Sequence, residues 1–163
     1  MIEPIHTTGL VTLVSKDDQV DQTTYGRKAK LDLATAAGLP AGTPLSGELL
    51  RLLLLSREGG TGTVQKPAGT LFLFTAEPDV SPGDQALDDG DSWAGAWAAV
   101  SVATTDWQGD DSGALAIILA DPIPFHAISA LWAAWLHGDA TTLNIEEGDE
   151  ETIHINAWFR RES

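Results

Sequence analysis

Two acidic clusters are the first residues of this chain that invite a chemical reading. Asp88-Asp89-Gly90-Asp91-Ser92 and Asp110-Asp111-Ser112-Gly113 gather carboxylate and hydroxyl oxygens around glycines, the ligands that a hard cation such as Ca2+ takes. An EF-hand loop counted from Asp88 needs a ligand at its third position and a bidentate Glu at its twelfth. Gly90 and Ala99 stand there instead. Solvated turns are the plainer reading, and a calcium site is the alternative. The histidines His6, His126, His137 and His154 are widely spaced. A meeting of His137 and Asp139 with His154 across neighbouring strands would begin a cupin-type metal site, but no close His-x-His pair supports it.

Covalent chemistry finds less to work with. The chain has no cysteine, and no Ser or Thr stands in a nucleophile elbow. No P-loop, HExxH or dinucleotide fingerprint occurs. Gly59-Gly60-Thr61-Gly62 lacks the Lys-Ser/Thr that would complete a phosphate cradle, so it reads as turn geometry. Paired carboxylates are plentiful but sit in acidic turns, where abundance makes any one pair uninformative about glycoside hydrolysis. The expectation is a chain that is not an enzyme, with no cofactor and no metal.

Tryptophan is the more telling residue type, with six in 163 residues. Trp132 and Trp135 are three apart, so on a strand they point to opposite faces and at least one leaves the core. Trp158 falls on the polar face of its own segment. Aromatic side chains beyond what a core absorbs form a patch that a monomer should not leave wet. Beside an acidic surface they indicate a subunit interface or a sugar-stacking surface.

Charge divides the chain. Nine Lys/Arg oppose 24 Asp/Glu, a formal net charge of −15. Residues 1–66 balance, whereas residues 67–159 contain no Lys or Arg at all. Such a field repels a phosphate backbone, so no nucleic-acid partner is expected. No apolar run approaches the roughly 20 residues of a membrane-spanning helix, so no membrane partner is expected either. Met1–His6 is acidic with a proline at position four, which does not read as a signal peptide. The basic residues Arg27, Lys28, Lys30, Arg51, Arg57 and Lys66 are candidates for a docking face. The acidic loops within 77–113 would then face outward or toward sister copies.

The elements that position these residues are short. Leu49–Leu55 and Leu71–Phe74 read as strands separated by the glycine-rich turn. Thr7–Ser15 reads as a first strand. Lys28–Ala37 reads as a short helix or ordered loop stopped at Gly38. Ala98, Val100 and Val102 alternate against Trp97, Ser101 and Thr105, and Leu115–Leu119 reads as a strand buried on both faces. Ile128–Leu136 is apolar in either register, so a helix is possible there. The last segment alternates with Ile153, Ile155, Ala157 and Phe159 inward and His154, Asn156 and Trp158 outward. Seven or eight short strands with at most one short helix predict an all-β antiparallel β-sandwich, jelly-roll-like, spanning residues 1–163 as one domain.

Some segments carry a resemblance. Gly59–Gln65 lies between two apolar strands, and Leu71-Phe72-Leu73-Phe74 runs into Thr75-Ala76-Glu77-Pro78 and an Asp-rich loop. Ala99–Thr105 ends in Asp106-Trp107, Ile128–Trp135 follows, and Phe159-Arg160-Arg161 closes the chain. Together, over residues 45–161, these resemble the small β-sandwich decoration (cement) proteins of tailed bacteriophages. The stretch 26–47 reads as an insertion, loop or short helix, relative to that pattern, and the acidic second half is a second departure. The resemblance implies a jelly-roll-like sandwich, made in the host cytoplasm, that sits on the capsid exterior of the virion. It implies the major capsid protein as partner, self-association as a homodimer or homotrimer, and stabilisation by clamping neighbouring capsid subunits. Arg27, Lys28, Lys30, Trp132, Trp135 and Trp158 are the candidates for capsid or subunit contacts. A carbohydrate-binding or receptor-binding tail module, using exposed Trp and possible Ca2+ in the Asp-rich loops, is the alternative function.

Overall fold

Leucine favours helix, yet Leu13, Leu31, Leu49, Leu52, Leu54, Leu71, Leu73 and Leu131 lie fully buried in β-strands. Burying such a side chain is worth about 1.5–3 kcal/mol, while intrinsic strand preferences span only about 1 kcal/mol. Burial decides the conformation. The computed structural model describes residues 3–14, 28–57, 66–78, 95–110, 113–118, 121–137 and 152–162. Its strands are β1 (Ile5–Thr7), β2 (Val11–Val14), β3 (Ala29–Asp32), β4 (Leu45–Arg57), β5 (Gly69–Phe74) and β6 (Ala98–Val102). They continue with β7 (Gln108–Asp110), β8 (Gly113–Ile118), β9 (Ile123–Ile128), β10 (Ala130–His137) and β11 (Thr152–Arg161).

Two antiparallel sheets result. The larger has the order β1-β11-β4-β8-β7, with β2 also pairing β11 and β9 also pairing β4; the smaller is β3-β10-β5-β6. β1 and β2 occupy successive stretches of the β11 edge, and β8 and β9 do the same along β4. Leaving aside β7, which only flanks β8, and counting each of those couples as one position, the chain pairs first with last, second with seventh, third with sixth and fourth with fifth. That nested pairing is a long antiparallel ribbon rolled into a sandwich, the winding of a jelly roll. The fold is all-β, as expected. Leu31, Leu71, Leu73, Leu131 and Trp135 of the small sheet share one core with Leu49, Leu52, Leu54, Ile155 and Phe159 of the large sheet.

A register shift in β4 explains its run of leucines. Arg51 pairs with Trp158 and Leu49 with Phe159, which leaves Leu50 as the extra residue of a bulge. Inward positions therefore step from Leu45, Gly47 and Leu49 to Leu52, Leu54 and Ser56. The strand keeps leucines on both faces, and the outer ones are half-buried.

Several expectations need correction. The first strand is divided in two around Gly9, whose φ of +75° is left-handed. The stretch read as an insertion supplies β3, the edge strand of the small sheet, with Ala29 and Leu31 inward and Lys30 outward. One helical turn, α1 (Leu33–Ala36), follows it. Asp32 caps that turn by accepting the Thr35 N–H at 3.0 Å. Gly38 (φ +74°) ends it, with Gly38 N–H donating to Thr35 O and Leu39 N–H to Ala34 O, a Schellman motif on a single turn. Residues 128–136 form no helix: Ile128 ends β9, Ser129 is a bend, and β10 begins at Ala130. Leu115 is 37% exposed between buried Ala114 and Ala116, so that strand is not buried on both faces. Trp97 precedes β6 and packs against the main core, escaping the alternation that begins at Ala98. The turns at 59–62 and 146–150, and the loop at 79–93, lie outside the described residues.

Candidate docking face and end cavity

The outward face of the large sheet is built where β4, β8 and β11 lie side by side. Leu53 is opposite Asn156, and Leu55 is opposite both His154 and Leu115. Leu53, Leu55, His154 and Trp158 are half-buried, Leu115 is exposed, and Arg51 and Arg57 are exposed at either end of the stripe. Arg51 places its guanidinium over the Trp158 ring, 4.7 Å from its centre, a cation–π contact that ties the two side chains together. Burial lowers the pKa of His154, and the charge of Arg57 lowers it further; desolvation and a like charge both disfavour the imidazolium. Arg160 and Glu48 form an ion pair toward the other end of the sheet. Asn156 is anchored from the neighbouring strand by Thr7, whose hydroxyl donates to Oδ1 at 2.7 Å, and by Thr8 at 3.3 Å. The result is a leucine and tryptophan stripe framed by two arginines, on a chain of net charge −15.

The structure does not bring the expected contact residues together. Trp158 lies in the stripe just described. Trp132 is half-buried on the outward face of the small sheet, beside Phe72, Phe74 and Ala134. The exposed Lys30 places its ammonium 5.9 Å from the Trp132 ring centre. Lys28 pairs with Glu77 at 3.0 Å and donates to Pro78 O at 3.1 Å. Lys66 donates to Gly109 O at 3.2 Å. Trp135 is fully enclosed in the main core, so it is no contact residue; strand parity sends it inward with Leu131 and Ala133. Arg27 lies outside the described residues. The basic residues thus divide between the outward faces of two sheets, and one flat docking surface cannot use both sets.

Sequence reasoning also missed a polar pair. Ser46 Oγ lies 2.9 Å from His126 Nδ1 and accepts the Ala127 N–H at 3.0 Å. Eighty positions separate serine from histidine, and nothing short of the β4–β9 pairing places them together. The register slips between Leu45 and Gly47 at this point, and Ala127 takes a left-handed φ of +53°. That is a costly conformation for a residue with a Cβ. Ser46 Oγ thus bridges the Ala127 backbone and the His126 ring, and holds the imidazole against the β4–β9 pair. His126 borders a cavity of about 550 Å³ with Thr75, Trp97, Pro124, Phe125, Ile128 and Glu162.

Among the described residues, no three His, Asp or Glu side chains converge to hold a metal ion. Asp88–Ser92, Asp111, Ser112 and Asp139 lie outside the described residues, and so do the side chains of Asp110 and His137. No described helix is long and apolar enough to cross a membrane. Comparison with protein-family models, with curated proteins and with solved structures gave no match.

Proposed function

We propose that this chain is a structural decoration protein of a tailed-phage capsid, which binds the outer surface of the shell and clamps neighbouring subunits without making or breaking a covalent bond. The observation that carries this reading is the outward face of the large sheet, with Leu53, Leu55, Leu115 and Trp158 framed by Arg51 and Arg57. A half-wet apolar stripe calls for a partner. Two arginines at its ends, on an otherwise strongly acidic chain, select a partner surface that is apolar and acidic. The major capsid protein supplies that surface in this reading. The jelly-roll winding agrees with it at the level of fold analogy.

Such a protein acts through linkage. It binds the assembled shell and not the separated subunits, so each bound copy shifts the equilibrium toward the shell. Self-association as a dimer or trimer engages several sites at once and raises apparent affinity without new contacts. The protein is made in the host cytoplasm and ends on the capsid exterior. The direct test is the thermal stability of empty shells with and without the chain. Shells carrying it disassemble at a higher temperature, by an amount that grows with its concentration; an unchanged midpoint at saturating protein rejects the reading.

A further inference from the structure

The cavity beside His126 lies at one end of the sandwich, away from the stripe used for docking. Its walls come from both sheets: Phe125, His126 and Ile128 from β9, Thr75 just after β5, Trp97 just before β6, and Glu162 just after β11. At about 550 Å³ it falls within the range of small-molecule sites, roughly 300–1,000 Å³. Its lining combines an apolar wall of Trp97, Phe125, Ile128 and Pro124 with three polar groups of different kinds. Glu162 supplies a carboxylate acceptor, Thr75 a hydroxyl, and His126 an imidazole whose ring is held by the Ser46 hydrogen bond. The left-handed Ala127 turns its N–H onto Ser46, so a strained residue supports the orientation of that imidazole.

We propose that this cavity is a binding site for a saccharide ring. A sugar offers an apolar C–H face to an aromatic wall and hydroxyls that both donate and accept around its edge. That pattern uses the tryptophan, the carboxylate, the hydroxyl and the imidazole together. An anionic ligand such as a phosphate ester meets Glu162 and a chain of net charge −15. A metal cation finds one carboxylate, Glu162, in this lining, and no group of three ligands forms among the described residues. The role of Ser46 is to position: it holds the ring of His126 and does not touch the sugar.

The test is an NMR titration of the full chain with glucose, galactose, mannose, rhamnose and N-acetylglucosamine, each at millimolar concentration. At least one sugar is expected to shift the Trp97 indole N–H and the His126 ring resonances in a saturable way. Glu162→Ala and His126→Ala, both at exposed positions, should each weaken that binding about tenfold, the loss of one hydrogen bond. Ser46→Ala should weaken it less, and Ser46→Thr, which keeps the hydroxyl beside His126, should restore it. Trp97→Phe keeps the packing while reducing the stacking surface, and should also bind more weakly. No shift at Trp97 with any of the five sugars overturns the proposal, and so does binding that survives in both Glu162→Ala and His126→Ala. Shell binding is read separately, so failure here leaves the docking face untouched.

Discussion

Gly69 and Trp135 are fitted to each other across the β5–β10 pair. A methyl group built on Gly69 would collide with the six-membered ring of the Trp135 indole and lie 2.5 Å from the Leu136 carbonyl oxygen. The enclosed tryptophan therefore depends on a missing side chain one strand away, and neither the ring nor the backbone of a packed sheet can yield. Gly69→Ala should cost about 1–3 kcal/mol through overpacking. The melting temperature of a chain this size then falls by about 2–4 °C per kcal/mol. Calorimetry of the variant checks this; an unchanged midpoint shows that the ring has room to move.

Asn156 ties the first strand to the last. Its Oδ1 accepts from Thr7 and Thr8, and the Ala157 N–H donates to Thr8 Oγ at 3.0 Å. Asn156→Ala removes the shared acceptor and should lower stability by about 1–2 kcal/mol. The loss should appear locally as faster hydrogen exchange at Thr8, whose N–H donates to Ala157 O, and be measured globally by urea denaturation.

Stability should depend on pH through His154. In the unfolded chain its imidazole protonates near pH 6.5, and in the folded chain its pKa is lower, owing to burial first and Arg57 second. Between those values the unfolded state binds more protons, so folding stability falls as pH drops below about 6.5 and levels off beneath the folded pKa. The urea midpoint of the wild-type chain should therefore drop more between about pH 7.5 and about pH 5 than that of His154→Gln. Equal drops in the two proteins would show that other groups govern the acid response.

Much of the fold was legible because the strands advertise themselves locally. The alternation in 153–159 reads directly as a half-buried strand, and the Gly38 stop needs no tertiary information. What escaped depends on partners distant in sequence. β3 has only four residues, and its Ala-Lys-Leu composition suits a helix until β10 pairs with it. The parity of Trp132 and Trp135 was clear from their spacing, but which ring turns inward depends on where the small sheet meets the large one. The docking stripe depends on the bulge at Leu50, which resets which leucines face out. Ser46 and His126 meet only through a register slip between strands far apart in the chain. Charge segregation along the sequence also misled, because Lys30 and Arg51 are neighbours in composition and end on different sheets.

Co-sedimentation with empty shells, assembled from the major capsid protein proposed as partner, measures the proposed role most directly. Wild-type protein should pellet with the shells, less so as salt is raised. The double reversal R51E/R57E should fold normally and remain largely in the supernatant, while Lys28→Glu/Lys30→Glu should pellet nearly as well as wild type. Wild-type protein left in the supernatant at low salt, or an R51E/R57E variant that pellets undiminished, would contradict the outward face of the large sheet as a capsid clamp.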